Sequence, residues 1–571
     1  MPRVRVVAAQ INVTVGDLSG NAGRILSAYE QAEAVGADLV AFPELAVTGY
    51  PPEDLLLRPA FAAAAAETLE KIAARTNRTT AVIGFPEPGR DLFNAAAICC
   101  AGRVCGVYRK HVLPNYTVFD ERRYFSPPLS LGPLFVVGGA RVGISICEDL
   151  WDPAGPVAAQ AAGGAELLIS INASPYAAGR LEERVAMLST RAADASTPLV
   201  YVNLVGGQDE LVFDGASLAF DEEGRLVARA RQFEEDLLVV DVEVRPVFRK
   251  RLMDPRGRAS APRLPEVEVS SAGGHGDRDP APTRLAPALE PDEEVFQALV
   301  TGTRDYVRKN GFSEAVVGLS GGIDSSLVAA IAVEALGPHQ VVGVLMPSRY
   351  SSQGSRDDAA VLASSIGIRT LTVPIEEAHV AFSNMLVEPF GGTFGGTPEE
   401  NLQARVRGTV LMALSNQFGW LVLTTGNKSE MATGYSTLYG DLAGGFALIK
   451  DVFKTAVYRL ARHVNRRAGR ELIPRAVLEK APSAELRPDQ RDEDTLPPYA
   501  LLDLILARYV EGDQSIAELE EAGFPSETVR QVALMVDRSE YKRRQAPPGI
   551  RVSPKAFGKD RRLPITNRWP G

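Results

Sequence analysis

"VVGLSGGIDSSLVAAIAVEALG", Val316 to Gly337, decides how the second half of the chain is read. An apolar strand ends at Leu319 and a helix begins near Ser325, with Ser320, Gly321 and Gly322 between them. Glycines there let backbone N–H groups close on an anion, and the helix N-terminus adds partial positive charge. The commonest phosphate loop, GxxxxGK[ST], depends on a lysine. This loop has none. Asp324 stands instead where a bare carboxylate would repel phosphate. The conflict disappears if Asp324 holds Mg2+ and the loop receives a leaving pyrophosphate.

Outward from the loop, apolar runs and helical periods alternate. "DEEVFQALVTGTRDYVRKNG" (292–311) leads into "EAVVGL", and "QVVGVLMP", "DDAAVLASSIG", "IRTLTVPI", "NLQARVRGTVLMALSNQFG" and "WLVLTTGN" follow. That alternation predicts a doubly wound parallel sheet over 289–571. Residues 1–245 also alternate, with strands at "RVRVVAAQI", "ADLVAFPE", "TTAVIGF", "ARVGISICE", "AELLISINAS" and "PLVYVNLV". Helices are read at "NAGRILSAYEQAEAVG" and "PAFAAAAAETLEKIAART". This is a second α/β layer arrangement. Between the halves, 246–288 is rich in Pro, Gly, Ser and charge, and is expected to be a linker, partly disordered or laid along the surface.

Composition narrows the classes. At 571 residues the chain is too long for one core. A formal charge of −10 argues against a general nucleic-acid binder. No apolar run is long enough to span a membrane, and "MPRVRVVAAQINVTVGD" enters a strand pattern with no signal segment, so a cytoplasmic location is expected. Cys99, Cys100, Cys105 and Cys147 all lie in the first quarter and do not suggest a disulfide framework. The five histidines are scattered singly, against a zinc site.

"SGGIDSS" resembles the loop of the ATP pyrophosphatase family, which splits ATP between its α and β phosphates. That resemblance assigns Gly318, Leu319, Ser320, Gly321, Gly322, Ile323, Asp324 and Ser325 to ATP. Members adenylate a carbonyl or carboxyl oxygen and let nitrogen or sulfur displace AMP. Thiolating members need reactive cysteines, and none follows Cys147. Nitrogen is left.

Three pieces of the first half supply it. "LVAFPELAVTGYP" places Glu44 at a strand end, "GVYRKHVLPNYTVFDERRYF" places Lys110 after another, and "VGISICEDLWDP" places Cys147 at a strand–turn. Together they resemble the Glu–Lys–Cys triad of the nitrilase, or carbon–nitrogen hydrolase, superfamily, which implies an α-β-β-α sandwich. A thiolate must attack an amide carbon, and a nearby ammonium ion favours the thiolate. Lys110 would also stabilise the tetrahedral oxyanion, and Glu44 would shuttle protons.

A nitrilase-like glutaminase ahead of an ATP pyrophosphatase resembles the glutamine-dependent NAD+ synthetase family over nearly the whole chain. The resemblance implies an L-glutamine pocket with Tyr116, Ser174 and Arg180. It implies ATP contacts from Thr425, Lys454 and Ser483, and deamido-NAD+ contacts from Asn401, Arg405, Glu430 and Lys542. Asp324 and Glu430 would share Mg2+. Leu438 departs from the lysine of ammonia-dependent relatives. An enclosed ammonia passage and a homo-oligomer, an octamer, are further expectations. Two rivals remain at this point: an amidotransferase with another carboxylate acceptor, and a non-catalytic binding protein of the same fold.

Overall fold

The computed structural model describes residues 3–244, 247, 252–253, 263–271, 279–392 and 394–569. The chain divides into two compact units. One is formed by the residues through Leu289 apart from Asp209–Leu211, the other by Asp209–Leu211 and Glu290 onward.

The first unit is a two-sheet sandwich. One sheet has six strands in the order Asp236–Glu243, Arg3–Gln10, Leu39–Ala41, Thr80–Pro88, Leu92–Cys100, Arg103–Arg109. The other runs Leu226–Arg229, Leu218–Phe220, Leu199–Asn203, Leu167–Asn172, Ala140–Ile146, Leu134–Val137, Glu266–Glu268. Their inner faces form one core, in which Val6, Ala8, Val82 and Ile98 of the first sheet meet Ile144, Ile169 and Val200 of the second. Helix Pro59–Ala73 packs on the first sheet beside Leu18–Ala34, and Pro156–Ala162 and Arg180–Ala195 pack on the second. Helix, sheet, sheet, helix is the layer order.

Within the expected linker, Glu266–Glu268 takes up regular structure. Glu266–Glu268 pairs in parallel with Leu134–Val137 as an edge strand, and Leu134 N donates to Pro265 O at 2.8 Å. Further on, Arg229 N donates to Arg284 O and Ala286 N to Arg229 O, both at 3.0 Å. The prolines that gave this stretch its linker-like composition favour extended backbone and suit an edge, where a missing N–H costs nothing. Of the expected linker, residues 246, 248–251, 254–262 and 272–278 lie outside the described residues, and with them the expectation of partial disorder there.

The second unit holds a five-stranded, all-parallel sheet in the order Arg369–Thr372, Val341–Leu345, Ala315–Gly318, Leu421–Thr424, Phe446–Ala447. Strand Ala315–Gly318 is first in the chain yet central in the sheet, so connections leave it to both sides. The crevice at the carboxyl ends of such strands is where α/β sheets bind ligands. Helix Ile323–Leu336 is apolar and buried nearly all round, as a helix must be when covered on both sides. A separate apolar cluster, including Met431, Leu502, Leu506, Val532 and Val536, holds the C-terminal helices. Among the described residues no helix is long and apolar enough to cross a membrane.

Candidate active sites

In the first unit, strand Ala140–Ile146 ends directly on Cys147, which opens a short 3-10 turn, Cys147–Leu150. Cys147 has φ +45°, a conformation that a residue with a Cβ adopts at a cost. The thiol is 4% exposed, and its Sγ lies 3.6 Å from Ser174 Oγ. Ser174 is itself fixed. Its Oγ accepts from Tyr201 OH at 2.7 Å, and its N–H donates to Asn203 Oδ1 at 2.9 Å.

Glu44 follows strand Leu39–Ala41, and the backbone beside it passes so close to Gly84 that a Cβ there would collide with Pro43 O and Leu45 N. Lys110 follows strand Arg103–Arg109. Both side chains are fully buried, and Lys110 Nζ donates to Glu44 Oε1 and to Glu121 Oε1, each at 2.7 Å. Asn94 Nδ2 donates to Glu44 Oε1 at 2.7 Å and to Glu121 Oε2 at 3.4 Å, while Ala173 N donates to Glu44 Oε2 at 3.1 Å. Both oxygens of Glu44 therefore accept hydrogen bonds.

Burial and the Lys110 charge act on the Cys147 thiol in opposite directions. Burial pushes the Cys147 thiol well above its usual range, and Glu44 pushes it further. Lys110 pulls it back without cancelling those effects, because its charge is already shared by two carboxylates. The ammonium ion alone does not make a resting thiolate. Among the carboxylates, Glu44 is the one whose charge acts on the thiol most strongly. Burial also lifts Glu121 to about 7, with Lys110 lowering and Glu44 raising it.

Tyr116 and Arg180 sit around Glu148 rather than against the thiol. Tyr116 OH donates to Glu148 Oε1 at 2.8 Å. Arg180 opens its helix, pairs with Glu183 at 2.7 Å and stacks over Trp151 at 4.6 Å. Its charge nonetheless acts on both Tyr116 and Glu148, so the three form one group beside Cys147.

Asp149 has a different task. It is fully buried, and Oδ1 accepts from His111 N and Val112 N at 3.0 and 2.9 Å. Oδ2 accepts from Tyr108 OH at 2.8 Å and Ile146 N at 3.0 Å. One carboxylate thus joins the residues on either side of Lys110 to the residue before Cys147. Asp149→Asn puts a donor where acceptors are needed and should lower glutamate release from glutamine on the order of 100-fold, the effect of displacing a reacting group by about 1 Å. Ammonium-supported synthesis in the same preparation should be unchanged.

In the second unit, a cavity of about 960 Å³ opens at the carboxyl ends of strands Ala315–Gly318 and Leu421–Thr424. Gly318, Leu319, Ser320, Gly322, Ile323, Asp324 and Ser325 line it, as do Thr425, Lys454 and Ser483. Gly321 is not on the wall but explains the loop. Its φ is +76°, and a Cβ there would strike Ser355 O. Asp324 Oδ1 accepts from Asn427 Nδ2 at 3.0 Å and Oδ2 from Lys454 Nζ. Lys454 Nζ also lies 3.7 Å from Glu430 Oε1. Burial and the charge of Asp324 push Glu430 up to about 8, against the pull of Lys454. Burial works against the Lys454 ammonium, but Asp324 and Glu430 outweigh it and its pKa is raised.

Asn401, Glu430 and Lys542 also line the cavity. Lys542 Nζ donates to the carbonyls of Gly434 and Ser436 at 2.7 and 2.8 Å. Arg405 departs from expectation. On helix Thr397–Phe418 the cavity face is Asn401, Ala404, Arg407, Gly408 and Leu411. Arg405, one residue past Ala404, is turned about 100° away. It is exposed, and its Nε donates to Leu438 O at 3.2 Å. Arg407 takes the inward position, where burial lowers its pKa to about 10.

The carbon-nitrogen hydrolase family model matches residues 3–247, and the NAD synthase model matches residues 295–546. The glutamine-dependent NAD(+) synthetase of Thermotoga maritima is 49% identical, covering 100% of this chain and 99% of its own. This chain belongs to the glutamine-dependent NAD+ synthetase family. The Aquifex aeolicus synthetase is 45% identical over 99% of this chain and 100% of its own. A solved glutamine-dependent NAD+ synthetase from Acinetobacter baumannii, in complex with ADP, has a TM-score of 0.75 at 39% identity, covering 99% of both chains.

Against that family frame, sequence reasoning missed several site residues. Glu121 sits in "DERRY", which reads as a solvated charge run. Asn94 and Asp149 carry no local signal. Asn427 does, because N-x-x-E ahead of an apolar residue is a capping box, and Asn427–Glu430 forms one.

Proposed function

We propose that this chain makes NAD+ from deamido-NAD+, ATP and the amide nitrogen of L-glutamine. The observation that carries the reading is one chain holding two sites. One is a buried thiol served by a carboxylate and an ammonium ion; the other is a lysine-free phosphate loop whose Asp324 faces a second carboxylate across Lys454.

Glu44 takes the thiol proton as Cys147 Sγ attacks the glutamine amide carbon, and Lys110 stabilises the oxyanion. Glu44 returns the proton to the departing ammonia, takes one from the water that cleaves the thioester, and passes it to the Cys147 sulfur as glutamate is released. Ser174 and the Tyr116–Glu148–Arg180 group hold the amino-acid end of glutamine. In the second unit the nicotinate carboxylate attacks the α-phosphorus of ATP and pyrophosphate leaves. Ammonia then attacks the adenylated carbonyl, and AMP departs. The N–H groups of Ser320–Asp324, with Lys454, receive the phosphates, and Asn401 and Lys542 face the dinucleotide. The chain assembles as a homo-octamer.

Among the described residues no cluster of three or more His, Cys, Asp or Glu could hold a metal. Two carboxylates from neighbouring strand ends, close enough that the charge of Asp324 raises the pKa of Glu430, suit Mg2+ that arrives with phosphate and water ligands. Asp324 and Glu430 would hold it, and it would neutralise charge on the reacting phosphates.

Amide-¹⁵N glutamine, ATP, Mg2+ and a panel of carboxylate acceptors test the reading. The expected products are singly labelled NAD+, glutamate, AMP and pyrophosphate, with deamido-NAD+ the preferred acceptor. Excess unlabelled ammonium should fail to dilute the label if ammonia is passed internally. Labelled product from another acceptor and none from deamido-NAD+ overturns the reading.

A further inference from the structure

We infer that Asn427 is a positioning residue that joins the two acidic groups of the nucleotide site, an inference that rests on Asp324 and Glu430 holding the divalent cation. Asn427 is fully buried and lies between strand Leu421–Thr424 and helix Lys428–Thr433. Its Oδ1 accepts from Glu430 N at 3.0 Å, and its own N donates to Glu430 Oε2 at 3.2 Å. Its Nδ2 donates to Asp324 Oδ1 at 3.0 Å. One side chain therefore fixes the backbone of Glu430 with one atom and the carboxylate of Asp324 with the other. Lys454 occupies Asp324 Oδ2, so both oxygens of Asp324 are oriented.

The next two residues anchor this arrangement. Lys428 Nζ is buried among Asp451 Oδ1 at 2.8 Å, Ser553 Oγ at 2.6 Å and Lys555 O at 3.0 Å. Ser429 Oγ donates to Asp503 and accepts from Lys454 N at 2.9 Å. The turn that carries Asn427 also holds the start of the helix that carries Lys454. Its amide is presented from a fixed base, with no freedom to follow Asp324 if the contact is lost.

The residue type bears on the point. Asn, Asp and Ser cap helices about equally well. Capping alone would accept any of them. An Asp would place a third carboxylate against Asp324, and a Ser hydroxyl is too short to reach it. Only Asn caps the helix and also donates to the acid.

Asn427→Ser separates the two tasks, because it keeps the cap and loses the tether. The probe is Mn2+ bound in the presence of α,β-methylene-ATP, followed by electron paramagnetic resonance, on the full chain. Asn427→Ser should melt within about 1 °C of the unmodified chain, whereas Asn427→Ala should melt about 2–4 °C lower. Asn427→Ser should weaken Mn2+ about 10- to 100-fold, the usual cost of losing a group that orients a metal ligand. Asn427→Asp should weaken ATP-dependent synthesis at least as much. Asp324→Asn serves as the control. If it keeps full Mn2+ affinity, the cation is held elsewhere and the inference falls with that reading. If Asp324→Asn loses Mn2+ but Asn427→Ser does not, Asn427 is only a cap; if Asn427→Ser loses Mn2+ but melts as low as Asn427→Ala, the loss follows the cap and not the tether; either result overturns the inference alone.

Discussion

Cys147→Ala should abolish NAD+ formation from glutamine, to below about one part in 10⁴, while synthesis from ammonium salts stays within about twofold. The size of the first effect follows from the absence of a substitute. Sγ is the only atom at that turn able to form the thioester, and Ser174 Oγ, 3.6 Å away, already accepts from Tyr201. Alanine keeps the Cβ at φ +45°, so the turn Cys147–Leu150 and the hydrogen bonds of Asp149 should be retained. Loss of both activities in a folded protein would show that the division of labour is wrong. Glu44→Gln should resemble Cys147→Ala in its pattern. A thiol pushed up by burial and by Glu44 cannot ionise without giving its proton to a neighbour.

What could be read from the sequence follows from how local each signal is. Strands such as Leu167–Asn172 and Val341–Leu345 are short segments dominated by Leu, Ile and Val, and that composition shows them directly. Leu92–Cys100 is "LFNAAAICC", whose alanines carry little β propensity, and pairing with Thr80–Pro88 makes it a strand. Glu266–Glu268 is another strand made by its neighbour. The site divides in the same way. Cys147, Glu44, Lys110 and Asp324 stand in strand-end contexts that announce them. Glu121 and Asn94 reach the triad only through folding, from a short turn and from mid-strand. Arg405 shows a different limit. Its motif was legible, but the phase of helix Thr397–Phe418 turns Arg407 inward instead.

Asp324→Ala should stop NAD+ formation from glutamine and from ammonium alike, on the order of 10³-fold or more, while glutamate release continues. The asymmetry with Cys147→Ala arises because every nitrogen source meets the same activated acceptor. Structure and chemistry must be separated here, since Lys454 Nζ would lose its hydrogen-bonded partner and be left 3.7 Å from Glu430. Removing one member of a buried pair costs about 3–5 kcal/mol, so Asp324→Ala should also melt earlier. The double variant Asp324→Asn/Lys454→Met removes the stranded charge and should recover much of that stability. If it recovers synthesis as well, Asp324 serves only to neutralise Lys454. Because Lys454 also faces the phosphates, Lys454→Met alone is the comparison: synthesis that survives in it but is absent from the double variant, with melting recovered, identifies the carboxylate itself as the group the nucleotide requires.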